Sequence, residues 1–138
     1  MASPELEPLA VVLFRAGGAW CGLEAERVCG AERALGHSAA DDIETRLALR
    51  VPARGVRYRL CLRGARNVWY LNVAAPLELT HMPAGAIRPL PPLLAARAPL
   101  PGLRALALRD GQLVLLLDAR ALAPDTSGPP TAARGFCG

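Results

Sequence analysis

A mainly β fold of short strands with only short helices is what this sequence predicts. Two observations carry that prediction. Thirteen glycines and thirteen prolines in 138 residues impose frequent turns and leave little room for long helices. Three segments read as β-hairpins, each with apolar residues that alternate on both sides of a turn signal. The length suits one domain, or two small lobes sharing a core, and a hydrophobic content of 52% is ample for a packed interior.

The hairpin at residues 102–122 is the organising one. Asp110-Gly111 supplies two residues that tolerate positive φ, as a tight primed turn requires. Folding there sets Leu108 against Leu113 and Leu106 against Leu115 on one face, with Ala107 against Val114 and Ala105 against Leu116 on the other. The second arm, 113–117, is apolar on both faces, so it belongs in the middle of a core. In residues 11–23, Gly17-Gly18 makes the turn, Phe14 meets Cys21, Val12 meets Leu23, and Arg15 falls opposite Trp20 for a cation–π contact. The segment 24–28 reads as a helical turn.

Residues 29–56 are less regular. A short helix is expected over 31–40, with Asp41 and Asp42 as caps for the next element. Residues 41–51 fit either a half-buried strand or a short amphipathic helix. The third hairpin, 57–79, turns at 64–67. It pairs Leu62 with Trp69, Leu60 with Leu71 and Tyr58 with Val73 on the core face, and leaves arginines on the other. Pro76 ends or bends its second strand. Six prolines between 82 and 101 predict an irregular crossing connection. A short terminal helix begins at Asp118. The expected organisation is a flexible leader at 1–8, a single domain at 9–122 and a disordered tail at 123–138.

Chemistry is hard to find. The sequence holds no phosphate-binding glycine loop, zinc-protease helix or nucleophile elbow. Cys21, Cys29, Cys61 and Cys137 form no CxxC pair, and His37 and His81 stand alone, so neither a metal site nor a cofactor is expected. Cys21, set among apolar residues, suits a small core residue better than a nucleophile. No apolar run reaches bilayer length and the N-terminus lacks a secretory signal, which points to the cytoplasm and free thiols, with no membrane insertion.

All sixteen basic residues are arginine. With so much Ala, Gly, Pro and Leu, a GC-rich genome explains this better than selection for arginine. Arg46 with Arg50, and Arg57, Arg59 and Arg63, form stripes. Their ordinary reading is a solvated sheet face; their functional reading is a charged docking face for an acidic partner. A small arginine-rich β-barrel that binds nucleic acid is the alternative. It is less favoured, because Tyr70 is the one aromatic expected on the arginine face and a stacking platform needs several.

Several segments resemble CheW-like domains, the coupling modules of bacterial chemosensory arrays. Residues 9–28, LAVVLFRAGGAWCGLEAERV, resemble the family's first hairpin and helical turn. Residues 56–91 resemble its later hairpin and an "IxPxP" element, here Ile87-Arg88-Pro89-Leu90-Pro91. The 102–122 hairpin resembles the closing strands, with Gly102 and Asp118 in the expected places. The resemblance covers most of residues 9–122. It implies two interleaved SH3-like β-barrel lobes, no enzymatic activity and a scaffolding role. The cytoplasmic tip of a chemoreceptor, a methyl-accepting chemotaxis protein, would bind in a groove whose apolar residues fall on Val28, Tyr58 and Leu79. Other CheW-like domains are further expected partners.

The departures matter too. The family's "NLRG…P.VDL" strand pair has no counterpart in residues 29–56, and Gly30 and Ala74 stand where acidic residues are usual. The first lobe is therefore expected to be reduced, and contact with a CheA-type histidine kinase weakened or lost. In this the chain resembles short, divergent CheW-like proteins of myxobacterial Frz-type chemosensory systems.

Overall fold

The computed structural model describes residues 8–34, 41–49, 55–92, 100 and 102–123. In chain order the strands are β1 (Leu9–Ala16), β2 (Ala19–Glu24), β3 (Val28–Arg33), β4 (Asp41–Asp42), β5 (Arg57–Arg63), β6 (Val68–Met82), β7 (Ile87–Pro89), β8 (Leu103–Arg109) and β9 (Gln112–Leu117). Two single-turn helices, α1 (Ile43–Arg46) and α2 (Ala119–Leu122), and short 3₁₀ turns at Ala25–Arg27 and Ala84–Ala86 complete the described elements.

The three hairpins form in the expected registers. Gly17 and Gly18 have φ of 58° and 86°, and Asp110 and Gly111 have 51° and 77°, so both tight turns take the doubly positive form that matches the strand twist. The pairs Phe14–Cys21 and Val12–Leu23, Leu62–Trp69 and Leu60–Leu71, and Ala107–Val114 and Leu106–Leu115 are all present. Arg15 lies over Trp20 at 4.6 Å from the ring centroid. Asp118 caps α2, accepting a hydrogen bond from the Arg120 amide at 3.0 Å.

The hairpins join into one nine-stranded sheet with the order β3-β5-β6-β1-β2-β9-β8-β7, and β4 adds to β6. Both ends are protected. β3 ends in Glu32-Arg33 and is exposed over most of its length, and β7 closes on Pro89; charge and proline both discourage further strand addition.

Two cores lie against this sheet, and the central strands serve both. On β1, Phe14 and Ala16 enter the first core while Val11 and Leu13 enter the second. On β2, Cys21 and Leu23 face the first core and Trp20 packs against the second. On β9, Leu115 and Leu117 belong to the first, Val114 and Leu116 to the second. Each large side chain so buried contributes roughly 1.5–3 kcal/mol. Gly22 is required at the crossing, because a Cβ there would stand 2.6 Å from Val11 Cγ1 and 3.1 Å from Leu116 Cδ2.

β6 binds the lobes together along its length. Val68–Ala74 pairs with β5, whereas Glu78–Met82 pairs with β1. The strand runs unbroken from Val68 to Met82 across a cis Ala75–Pro76 bond, so Pro76 does not end it.

Four local expectations are corrected. Residues 31–33 are strand: β3 pairs antiparallel with β5, Ala31 opposite Leu60, and the edge pairing overrides the helical leaning of Ala-Glu-Arg. The rest of the expected 31–40 helix, 35–40, falls outside the described residues. Residues 41–49 divide between the two-residue β4 and the four-residue α1, with Asp42 at the N-cap position but making no capping bond. Ile87–Pro89, inside the proline-rich connection, pairs with β8, because Ile87 fills a place beside the second core.

Arg57 is the fourth correction, since it does not join an exposed arginine face. Its guanidinium donates to both carboxylate oxygens of Glu44, at 2.7 and 2.9 Å, and to Asp42 at 3.4 Å. The Arg57 and Glu44 side chains are only 13% and 6% exposed. The Glu44 hydrogen bond holds the guanidinium above its ordinary pKa, so the pair is firmly ionic. Arg46 is also structural: it donates to the Leu122 carbonyl at 2.6 and 2.9 Å and to Ala123 at 2.9 Å, satisfying the open carbonyls at the end of α2.

Breaking the buried pair strands a charge. Glu44→Gln should lower the unfolding free energy in urea by about 3 kcal/mol, and adding Arg57→Met should recover part of that loss. A second prediction concerns pH. Burial, then the charge of Glu44, pushes the Cys21 thiol from its ordinary 9.0 up to about 12. The folded protein keeps a proton that the unfolded chain releases, so this contribution is intact below pH 9.0 and is lost as pH rises towards 12. Urea titrations across that window should show a falling stability that is shallower in Cys21→Ala.

Candidate functional site

The three residues expected to line a groove lie on three strands, β3, β5 and β6. Val28 opens β3 opposite Leu62, immediately after the 3₁₀ turn, and is half-buried against the first core. Tyr58 lies at the other end of that strand pair, opposite Arg33 on β3 and Val73 on β6, and also packs against the first core. Leu79 lies on the second half of β6 opposite Val12, and at 63% exposure it is the most exposed large apolar side chain among the described residues. Val12 is paired in turn with Leu23, so Leu79 extends the apolar row of the first core out to the surface. Val28 and Tyr58 are thus separated by the length of β5, and Leu79 stands on a different strand from both.

The arginines of the expected docking face have separate fates. Arg57 is committed to Glu44. Arg59 forms an ion pair with Glu32 and lies over Tyr70, 5.3 Å from the ring centroid, so its charge is already matched. Arg63 is exposed and donates to the Glu26 carbonyl at 3.1 Å. Arg50 of the other stripe is outside the described residues. The outer face of β5 and β6 also exposes Val68 and Tyr70, which makes it mixed in character.

Sequence reasoning missed the seam between the lobes. There an apolar recess of about 150 Å³ is lined by Leu9, Val11, Gly22, Ile87, Ala105 and Leu116. Beside it lies a polar cleft of about 520 Å³ carrying Glu26, Arg27, Asp118 and Arg120. Glu24, Arg104 and Leu117 line both, and Arg104 donates to Glu24 at 3.1 Å on the shared rim. An apolar floor with charged groups of both signs around it suits an amphipathic partner. The one sequence signal among the lining residues was Gly22, which lets Val11 and Leu116 pack closely at the recess.

Reactive side chains are few among the described residues. Cys21 is fully buried, and its raised pKa keeps it a neutral thiol, which is a poor nucleophile. His81 is exposed on β6 and His37 is outside the described residues. Among the described residues no three His, Cys, Asp or Glu side chains gather as a metal site would need. No helix among them is long and apolar enough to cross a membrane.

No protein-family model matches this sequence, and no curated protein does. Among solved structures, the scaffolding protein TtCheW from Thermoanaerobacter tengcongensis is similar, with a TM-score of 0.71 and 13% sequence identity. The match covers 88% of this chain and 96% of that one. The two cores interleaved on shared strands are therefore the mainly β fold of a CheW scaffolding protein.

Proposed function

We propose that this protein is a non-catalytic adaptor of a bacterial chemosensory array, working in the cytoplasm and binding the cytoplasmic tip of a chemoreceptor. The observation that carries the reading is the fold itself: two interleaved β lobes like those of a CheW scaffolding protein, with apolar surface left open at Leu79 and at the seam. A receptor tip is an amphipathic helical hairpin. Laying its apolar ridge along Leu79 and Val28 is helix-in-groove recognition, with Tyr58 bounding the same lobe. The arginines of the chain then assist encounter with an acidic helix more than final affinity.

Kinase contact is the function we propose this chain has lost or weakened. Between β3 and β5 the described residues hold only the short β4 and one helical turn, and β3 pairs directly with β5. A first lobe so reduced would let the protein occupy receptors without recruiting a CheA-type kinase, as a modulator within an array of Frz type. Contact with other CheW-like domains is compatible with this role.

Leu79→Arg is the cleanest test, because an exposed position tolerates charge. It should weaken capture of a soluble receptor-tip fragment at least tenfold, about 1.4 kcal/mol, with an unchanged thermal melt. Val28→Arg should do the same at some cost in stability, since Val28 is half-buried. Unchanged capture by both variants would remove the groove assignment. Steep log-linear loss of binding with salt would instead favour a nucleic-acid partner. In a pairwise binding assay the cognate kinase should bind far more weakly than the receptor fragment, and equal binding would sink the reduced-lobe reading.

A further inference from the structure

Cys29 and Cys61 meet on neighbouring strands, and neither the fold nor the adaptor role makes use of them. The register of β3 on β5 slips between Val28 and Gly30, so Cys29 and Gly30 together stand against Cys61 in a β-bulge. Cys29 Sγ lies 2.9 Å from Cys61 Sγ and 3.2 Å from the Cys61 carbonyl oxygen. Cys29 is exposed and Cys61 half-buried, so solvent reaches the pair, whereas Cys21 is sealed in the core. Gly30 leaves room beside them, since even a Cβ there would come no closer than 3.8 Å to Cys61 Cβ. The Cys61 thiol is raised above its ordinary pKa, first by its hydrogen bond with Cys29 and then by burial, with Tyr70 and Arg63 acting in the opposite sense. Cys29 donates its thiol proton towards Cys61 and is the more accessible of the two sulfurs.

We infer that Cys29 and Cys61 form a reversible dithiol–disulfide site that reacts with hydroperoxides. Cys29 gives up its thiol proton and attacks the oxidant: an S–O bond forms, the O–O bond breaks, and the leaving oxygen takes up a proton to depart as water or an alcohol. Cys29 is then a sulfenic acid. Cys61 Sγ attacks the Cys29 sulfur, the S–S bond forms as the S–O bond breaks, and the hydroxyl leaves with the Cys61 proton as water. In sum, two thiols lose two electrons to one hydroperoxide. A dithiol reductant restores both by exchange and is itself oxidised to a disulfide. The bridge would fasten the edge strand β3, which carries Val28, to β5. This chemistry stands independently of the adaptor reading.

The test is non-reducing peptide mapping of the full chain after brief hydrogen peroxide treatment and alkylation. The expected product is an intramolecular Cys29–Cys61 linkage, formed at a rate independent of protein concentration and reversed by dithiothreitol. In Cys61→Ser, a fold-neutral change at a half-buried position, the linkage is absent and dimedone traps a sulfenic acid at Cys29. The inference is overturned if Cys29 links to Cys137 as fast as to Cys61, if the linkages run mainly between chains, or if peroxide oxidises other thiols while leaving this pair reduced.

Discussion

A strand that is apolar on both faces must be covered on both sides, and β1, β2 and β9 impose that requirement on everything else in this chain. They lie side by side in the sheet. Phe14, Cys21 and Leu117 point one way, and Leu13, Trp20 and Val114 the other. One cover alone would leave a row of large apolar side chains in water, at roughly 25 cal/mol for each Å² exposed. The fold answers by supplying β3, β5, α1 and the first half of β6 on one side, and β7, β8 and the end of β6 on the other. The two lobes are thus consequences of three strands with no polar face. The seam has the same origin, because two covers built from different segments meet along an edge that neither fills completely.

Local pairings were legible and distant ones were not. Gly17-Gly18 and Asp110-Gly111 fix the turn, and with the period of two the turn fixes every pair beyond it. Nothing local announces that β2 runs parallel to β9, Cys21 opposite Leu115, or that β6 leaves β5 for β1 halfway along. Glu44 and Arg57 look like ordinary surface charges in sequence, and only the approach of α1 to the end of β5 turns them into a buried pair. The helix expected at 31–40 failed over 31–33 for a related reason. Helix propensity acts locally, while the open edge of β5 offers Ala31 and Glu32 backbone partners opposite Leu60 and Arg59.

The candidate site divides in the same way. Leu79, Val28 and Tyr58 come from a positional resemblance, and the structure leaves Leu79 in the open while setting the other two against the first core. The seam depends on Glu24 and Arg104, 80 positions apart, so no spacing could reveal it. The arginine stripe is visible in sequence, but carboxylates supplied by other elements, Glu44 and Glu32, balance two of its members. What remains open is apolar surface beside a charged rim, a pattern suited to holding another protein.

The shared strands also bear on how such a chain is made. Of the described strands, β1 and β2 emerge first during synthesis, and their hairpin needs only local pairing. The second core takes its other residues from Met82, from Ala105 and Ala107 on β8, and from Val114 and Leu116 on β9. Until those segments leave the ribosome, Val11, Leu13 and Trp20 have no partners, so the N-terminal hairpin must wait for nearly the whole chain. Long-range closure of this kind is slow and leaves early strands open to wrong pairing. It also means that neither lobe can be inherited or swapped without the other, because cutting the chain between them would divide each core across two pieces.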